Sequence, residues 1–188
     1  MEIEQRAFVD SFSQIRQKLR EQGFKKERKV QLIDRYFCRE KFNTIDDIKM
    51  DEPGSYGLRI RENGNSAELN CKTIRWEGDH NAFHEYETQV DSPEETKKIL
   101  EATGFKNFCT LEKERTVYVS PDGRVEVNLE DINDFPEVIE IEIVTDDMID
   151  EARQRISQLL QKLEVKEEDR IDKSITLHYF QENAFQQE

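Results

Sequence analysis

Length, composition and charge limit the chain to one domain of moderate size and exclude several classes of partner. Its 188 residues are enough for a single packed core but few for two. Charged residues make up 37% and hydrophobic residues 35% of the chain, and 11 phenylalanines keep it out of the disordered class. The net charge of −14 argues against nucleic acid or an anionic membrane as a partner, because both are attracted by positive potential.

The cysteines and the apolar runs indicate a reduced, non-membrane compartment. Cys38, Cys71 and Cys109 are odd in number and far apart, so they predict neither a disulfide framework nor a clustered zinc motif. No apolar run approaches the roughly 20 residues of a membrane span, and the chain begins with an acidic, strand-like segment rather than a signal peptide. We therefore expect a cytoplasmic protein that binds neither nucleic acid nor membrane.

The N-terminal segment predicts a strand, a helix and a second strand. Residues 1–9 alternate in side-chain character, which is typical of a strand with one polar face. Ser11 or Ser13 is a suitable N-cap for an amphipathic helix that ends near Gly23. Residues 28–39 carry apolar side chains at even spacing and predict the second strand.

The middle of the chain predicts a hairpin, a further strand and a well-capped helix. Two strand-like runs, GLRIR and AELNCKTIRW, are joined at the Asn63-Gly64 pair, which favours a tight hairpin. Residues 83–90 form another alternating run. The segment Ser92-Pro93-Glu94-Glu95 combines an N-cap, a proline at the first helical position and a capping-box glutamate, and Gly104 ends the helix.

The C-terminal half predicts three more strands and an amphipathic helix. Residues 109–119 and 123–132 flank the turn sequence Ser120-Pro121-Asp122-Gly123, and 137–144 is a further alternating run. A helix beginning at Thr145 or Asp146 and extending to Leu163 follows.

Together these elements predict an α+β fold, in which roughly eight antiparallel strands close into a β-barrel with flanking helices. We assign residues 1–165 to this barrel domain. Residues 166–188 form a charged, partly ordered C-terminal tail that would dock through Ile175, Leu177 and Phe180.

Charged side chains recur at every second position in strand after strand, so that each set lies on one face of its strand. The sets are Glu2, Glu4 and Arg6; Arg59 and Arg61; Glu85 and Glu87; Lys113 and Arg115; Glu126, Asn128 and Glu130; and Glu140 and Glu142. The pattern alone leaves two interpretations open. The charged face is either solvated, as in many half-buried antiparallel sheets, or it lines a cavity that binds a ligand.

Physical chemistry favours the ligand-binding interpretation. Carboxylates clustered on neighbouring strands repel one another unless a cation neutralises them, and Mg²⁺ or Mn²⁺ prefers such hard oxygen ligands. Arginines at alternate positions present forked donors that match phosphate oxygens, and lysine adds point charge. A triphosphate with its bound metal would satisfy both sets of charges.

The motifs that carry these charges resemble those of the CYTH, or triphosphate tunnel metalloenzyme, family, which includes class IV adenylyl cyclases, thiamine triphosphatases and inorganic tripolyphosphatases. The N-terminal EIEQR is similar to the family's Glu-x-Glu-x-Lys opening. GLRIR, LNCK, HEYE, EKER and VNLEDINDFPEVIEIE follow in the family's order, so the resemblance covers roughly residues 1–145. The fold it implies is an eight-stranded antiparallel barrel that forms a triphosphate tunnel.

The resemblance also implies roles for individual residues. The implied metal ligands are Glu2, Glu4, Glu140 and Glu142, with Glu130 where the family usually has aspartate. The implied phosphate-binding residues are Arg59, Arg61, Lys72, Lys113 and Arg115, and Glu85 and Glu87 complete the lining. The implied catalytic group is Glu2, Glu4, Arg6, Lys72 and Glu130.

This sequence departs from the family pattern at two places. Arg6 stands where the family usually has lysine. Arginine keeps the positive charge, but unlike lysine it does not lose its proton and so cannot act as a base. Phe135-Pro136 replaces the usual Leu-Gly before the last acidic pair, so that turn is expected to differ in shape.

The implied function is metal-dependent chemistry on a triphosphate such as ATP, thiamine triphosphate or tripolyphosphate, with Mg²⁺ or Mn²⁺ as the cofactor. The pieces VQLIDRYF and CKTIRWEG resemble the class IV cyclase branch and favour conversion of ATP to cyclic AMP and pyrophosphate. A triphosphate hydrolase is the alternative. A module that binds triphosphate or polyphosphate without turnover is an alternative of another class, and the chain is expected to act as a monomer or homodimer.

Overall fold

The computed structural model of the chain describes residues 2–48, 56–74, 82–133, 135–145, 148–171 and 175–184. The strands are β1 (Glu2–Phe8), β2 (Lys25–Arg39), β3 (Tyr56–Asn63), β4 (Ser66–Ile74), β5 (Ala82–Gln89), β6 (Phe105–Val119), β7 (Glu126–Ile132), β8 (Val138–Val144) and β9 (Arg170–Ile171). The helices are α1 (Phe12–Glu21), α2 (Ile45–Ile48), α3 (Pro93–Ala102), α4 (Ile149–Lys162) and α5 (Ile175–Asn183), with a 3-10 turn at Glu167–Asp169.

The elements group into two compact units. The first unit comprises Met1–Val30 and Lys113–Asp172, and the second comprises Gln31–Glu112 and Lys173–Glu188. The boundaries between the units fall within β2, within β6, and between residues 172 and 173.

The first unit is built on an antiparallel sheet in which β8 lies between β1 and β7. The C-terminal part of β6 pairs with β7, and the two-residue strand β9 pairs with β1. Alternate side chains of these strands form an apolar core, because period-two alternation places Ile3, Val127 and Ile141 on one face. Helix α4 packs against β1 and β8 and buries Ile156 and Leu160.

The second unit contains the antiparallel sheet β2-β3-β4-β5. Helix α3 packs against β3 and β4, and its Leu100 joins Phe37 and Ile60 in the core of this unit. The predicted hairpin is confirmed, but Asn63 pairs with Ser66. The turn therefore lies at residues 64 and 65, where Gly64 adopts a positive φ of 60° that glycine tolerates without a steric penalty.

Two predicted helix starts are confirmed by their caps. The Ser11 side chain accepts the backbone N–H of Ser13 at the start of α1, and the Ser92 side chain accepts the backbone N–H of Glu95 at the start of α3. Each cap satisfies a donor that has no partner within its own helix.

The predicted start of α4 at Thr145 is wrong. The helix begins at Ile149, four residues later, after Met148 as N-cap residue, and the Thr145 hydroxyl accepts the backbone N–H of Met148 at 3.2 Å. The alternative start, Asp146, lies outside the described residues.

The C-terminal segment contributes helix α5, whose Phe180 is only 1% exposed. The Phe180 ring contacts Tyr36 and Phe108 edge-on, with centroid distances of 4.9 and 4.8 Å. The side chains of Ile175 and Leu177, the other residues predicted to dock this segment, lie outside the described residues. Throughout the described residues the sheets are antiparallel and flanked by helices, so the predicted α+β class is confirmed.

Candidate functional site

The strand register of the first unit aligns charged side chains in two rows across the sheet. In one row, Glu142 of β8 lies directly between Glu4 of β1 and Glu126 of β7. Directly opposed residues of antiparallel strands point to the same face, so three carboxylates share one stretch of surface. The adjacent row contains Arg6, Glu140 and Asn128. Glu2 lies on the same face of β1, opposite Val144, and is half-buried.

Arg6 bridges two of these carboxylates. One terminal nitrogen of its guanidinium pairs with Glu4 and the other pairs with Glu140. The side chains of Glu4 and Glu140 are 1% and 3% exposed, so both carboxylates depend on contacts within the protein for neutralisation. The pKa of Arg6 is raised above its usual value, because attraction to Glu140 and Glu4 outweighs the opposing effect of burial.

Glu140 receives a second arginine on its other oxygen. Arg115 Nη2 lies 3.0 Å from Glu140 Oε1, and Arg115 also binds Glu130 through Nε at 2.7 Å. Lys113 donates to Glu130 Oε1 at 2.7 Å. Arg6, Glu140, Arg115, Glu130 and Lys113 thus form a continuous chain of alternating charges. We call these residues, together with Glu4, Asn128 and Glu142, the first charged cluster.

Glu130 is the most deeply buried acid of the first charged cluster, with 0% exposure. Burial raises the pKa of a carboxyl, but Arg115 and Lys113 outweigh burial and lower the pKa of Glu130 below its usual value. Glu130 is therefore ionised. Its Oε1 accepts both cations, whereas its Oε2 is buried and has no hydrogen-bond partner.

The second unit carries a separate group of charges on β2 to β5, which we call the second charged cluster. It comprises Asp34, Tyr36, Arg59, Arg61, Asn70, Lys72 and Glu85. Arg61 donates to both oxygens of Asp34, at 2.6 and 2.7 Å, and Asp34 is 0% exposed. The planar guanidinium is thereby held in one orientation.

Arg59 is bound less tightly than Arg61. Its terminal nitrogens lie 3.7 Å from Asp34 and 3.8 Å from Glu85, and its side chain hydrogen-bonds to Tyr36. Its Nε is buried and has no hydrogen-bond partner. Burial lowers the pKa of Arg59, but electrostatic attraction to nearby anionic groups, chiefly Asp34, is stronger. The pKa of Arg59 is therefore raised above its usual value. A buried, charged N–H donor of this kind suits an anionic ligand.

The remaining members of the second charged cluster lie on β4 and β5. Lys72 is opposite Glu85 in the register, and its Nζ lies 3.7 Å from the Glu85 carboxylate. The Asn70 amide donates to Glu85. Glu87, which was predicted to complete the lining, is opposite Asn70 but exposed.

The structure thus divides the predicted site residues between the two units. The first unit brings together Glu2, Glu4, Arg6, Lys113, Arg115, Glu130, Glu140 and Glu142. The second brings together Arg59, Arg61, Lys72 and Glu85, with Glu87 at its exposed margin.

Sequence reasoning missed Asp34. The even positions of β2 were read as an apolar face through Val30, Leu32, Tyr36 and Cys38, and Asp34 has the same parity. A lone acid in an otherwise apolar alternation was the available signal, because a charge at such a position is buried only with a partner.

Fit to a divalent metal can be judged from the donors present. In the described part of the chain, no three His, Cys, Asp or Glu side chains are positioned together as a ready-made metal site. The carboxylates Glu4 and Glu140 instead point toward arginines. The donor set nevertheless fits a hard cation, because the register aligns Glu4, Glu142 and Glu126 and because Glu130 keeps a buried oxygen without a partner.

Comparison with known proteins identifies the family to which this chain belongs. The family model described as the CYTH domain matches residues 1–175, and the chain therefore belongs to the CYTH domain family. Among the described helices, none is both long enough and apolar enough to span a bilayer.

Individual relatives agree with this placement. A provisionally named adenylate cyclase of Methanocaldococcus jannaschii is 24% identical over 177 residues, which cover 93% of this chain and 95% of the relative. The structure of the PH1012 protein of Pyrococcus horikoshii OT3 matches with a TM-score of 0.77 at 25% identity, covering 92% of this chain and 96% of that one. HpAC1 of Hippeastrum, provisionally an adenylyl cyclase and described as having a dominant triphosphatase activity, matches with a TM-score of 0.60 at 18% identity and covers 88% and 89%.

Proposed function

We propose that this protein is a divalent-metal-dependent enzyme that acts on a triphosphate, and that its reaction is conversion of ATP to cyclic AMP and pyrophosphate. The observation that carries the proposal is the first charged cluster, in which arginines lie on both oxygens of buried Glu140 beside a row of further carboxylates. A merely solvated face does not bury ionised groups in this way. Membership of the CYTH family supports the same conclusion.

The metal ligands in this proposal are Glu2, Glu4, Glu130, Glu140 and Glu142. All five are hard oxygen donors, which suits Mg²⁺ or Mn²⁺. When bound, the ion supplies polarisation of a phosphoryl oxygen and offsets charge on the leaving group. The strand register places Glu4 and Glu140 on one face of the sheet, and Asn128 helps to orient Glu142 by donating its amide to that carboxylate at 3.2 Å.

The phosphate ligands in this proposal are Arg59, Arg61, Lys72, Lys113 and Arg115. Arg59 has a buried Nε without a partner, and this N–H is suited to donate to a phosphate oxygen. Arg61 is pre-oriented by Asp34, which reduces the entropy lost on binding. Glu85 keeps Lys72 and Arg59 in place by ion pairs at 3.7 and 3.8 Å, and Glu87 marks the margin of this group.

Two reactions are compatible with such a site, and they differ in the nucleophile. In the cyclase, the ribose 3′-hydroxyl attacks the α-phosphorus, the bond to the bridging oxygen breaks, and pyrophosphate leaves. In the hydrolase, water attacks the γ-phosphorus, the bond to the β–γ bridging oxygen breaks, the diphosphate portion of the substrate leaves, and the attacked phosphoryl group becomes orthophosphate. The cyclase is favoured by the segments VQLIDRYF and CKTIRWEG and by the name of the archaeal relative, whereas the Hippeastrum protein favours the hydrolase.

The base in either reaction cannot be Arg6. Its pKa is raised by two buried carboxylates, so its guanidinium remains charged and does not accept a proton from the nucleophile. Arg6 and Lys72 act in this proposal as positive groups that position the phosphates or the carboxylates.

The deciding experiment measures products separately. The protein is incubated with Mg²⁺ or Mn²⁺ and, in turn, with ATP, thiamine triphosphate and tripolyphosphate, and cyclic AMP, pyrophosphate and orthophosphate are quantified. Equal amounts of cyclic AMP and pyrophosphate from ATP support the cyclase, and orthophosphate without cyclic AMP identifies a hydrolase. Tight binding with no turnover of any of the three would instead identify a non-catalytic triphosphate-binding module.

A further inference from the structure

Arg6 competes with any bound cation for two carboxylates of the first charged cluster, Glu4 and Glu140. Its two terminal nitrogens are committed to Glu4 and Glu140, whereas its Nε is buried and has no hydrogen-bond partner. The side chain is 13% exposed and therefore lies largely within the protein. Arg6 thus neutralises two carboxylates while one of its own donors stays unsatisfied.

The position of Arg6 follows from the strand register. Glu140 is its direct cross-strand partner, and Glu4 lies two residues earlier on the same face of β1. Glu140 has its second oxygen on Arg115, so replacing Arg6 at Glu140 leaves this carboxylate still paired. Arg6 is therefore a cation that competes with a metal ion for Glu4, in the row that Glu4 shares with Glu142.

An arginine at this position can leave the carboxylates only by moving, because it does not lose its charge within the pH range of a folded protein. A displaced guanidinium needs a new anionic partner, since an unpaired charge in a buried site is costly. A triphosphate supplies such a partner, and the planar fork of the guanidinium matches its oxygens.

We propose that Arg6 is a positioning residue that acts as an internal counter-cation, holding Glu4 and Glu140 until a divalent metal and a triphosphate bind together. The metal takes over Glu4, and the released guanidinium pairs with phosphate oxygens. This inference rests on the proposed function and adds a prediction about the order of binding. Metal alone binds weakly because it must displace Arg6 without compensation, and metal and triphosphate therefore bind with positive cooperativity.

The test is Mn²⁺ binding in the absence of any triphosphate, measured by the electron paramagnetic resonance signal of free Mn²⁺. Three variants are compared with the wild type: Arg6→Gln, which removes the counter-cation; Arg6→Lys, which keeps the charge but not the fork; and Arg155→Gln. Arg155 pairs with Asp122 on the exposed surface of the same unit, so its variant makes the same change in net charge away from the cluster.

We expect Arg6→Gln to bind Mn²⁺ about tenfold more tightly than the wild type, and Arg6→Lys a few fold more tightly, because removing or loosening the bridge weakens the positive charge that competes with Mn²⁺ for Glu4. Arg155→Gln should bind as the wild type does. Equal Mn²⁺ affinity of Arg6→Gln and Arg155→Gln would overturn the inference. Should Arg6→Gln fail to fold, Arg6→Lys decides, and an affinity equal to that of the wild type overturns the inference.

A second measurement tests the cooperativity directly. Binding of a methylene-bridged ATP analogue is measured by calorimetry at zero and at saturating Mg²⁺, with Mg²⁺ binding to the free analogue subtracted. The enhancement by Mg²⁺ should be several fold larger in the wild type than in Arg6→Gln, and equal enhancement contradicts the inference. Failure of the proposed function is distinguishable, because it appears as no metal-dependent turnover of any triphosphate by the wild-type protein.

Discussion

Arg61 holds Asp34 through two parallel hydrogen bonds, from Nε at 2.6 Å and from Nη2 at 2.7 Å. Asp34 is fully buried and also lies 3.7 Å from Arg59, so one carboxylate compensates two neighbouring guanidinium groups. Removing one partner of a buried ion pair typically costs roughly 3–5 kcal/mol, because the remaining charge stays buried without compensation.

Asp34→Asn should therefore lower the free energy of unfolding by about 3 kcal/mol, since asparagine keeps the shape but not the charge. Urea denaturation followed by circular dichroism measures this loss. Asp131→Asn is the matched control, because it makes the same change at an exposed strand position and should stay within about 0.5 kcal/mol of the wild type. A loss for Asp34→Asn no larger than that of the control would show that the clamp does not stabilise the fold.

Glu4→Gln and Glu142→Gln should each abolish metal-dependent turnover while the protein stays folded. Each variant removes one negative ligand from the row of carboxylates on β1, β8 and β7 and leaves the side-chain volume nearly unchanged. The products of the reaction are measured as above, and folding is checked by circular dichroism. Glu112→Gln on β6 is exposed and serves as the control with unchanged turnover. Wild-type turnover in either of the first two variants would count decisively against the assigned metal ligands.

Phe180→Ala should detach helix α5 from the second unit. The ring is 1% exposed and lies against Tyr36 and Phe108, so its removal leaves a cavity that costs roughly 3–5 kcal/mol. We expect a lower midpoint of urea unfolding and faster proteolysis near the C-terminus. Gln181→Ala, at an exposed position of the same helix, should behave as the wild type does. Equal stability of the two variants would mean that α5 does not depend on this contact.

The three cysteines should be unreactive in the native protein. Burial raises the pKa of Cys109 to about 12 and that of Cys38 to about 11, and it also raises the pKa of half-buried Cys71. At pH 8 a chromogenic disulfide reagent should therefore label the native thiols slowly, and all three rapidly after unfolding in urea. Rapid labelling of all three in the native state would contradict the burial of Cys38 and Cys109.

The same shifts predict a loss of stability at alkaline pH. The pKa values of Cys38 and Cys109 are higher in the folded protein than in the unfolded chain, where a thiol has a pKa of about 8.5. The contribution of the neutral thiols to stability is thus fully present below about pH 8.5 and is lost as pH rises toward the folded values. Cys109→Ala should reduce the slope of stability against pH between pH 8.5 and 10.5, whereas an unchanged slope would show that Cys109 does not titrate on unfolding.

Much of the fold could be predicted because it follows from local signals. The caps at Ser11 and Ser92 and the hairpin after Asn63 depend on residues that are adjacent in sequence, and the structure confirms them. The start of α4 could not be predicted in the same way, because Thr145 and Asp146 are both suitable N-caps by residue type, whereas the structure starts the helix at Ile149 with no side-chain cap.

The sequence by itself determined which side chains share a face, because the period of a β-strand is two and alternation places Glu4 with Arg6 and Glu140 with Glu142 whatever the rest of the molecule does. Only the tertiary structure decided which charge neutralises which. Register between strands distant in sequence places Arg6 opposite Glu140 and Asp34 opposite Arg61, and no local pattern encodes those pairings. Clustered carboxylates were expected to require a metal, yet the structure shows arginines of the same chain beside them. Those ion pairs are a property of the assembled cluster, because each one needs two strands in register to bring a guanidinium within reach of a buried carboxylate.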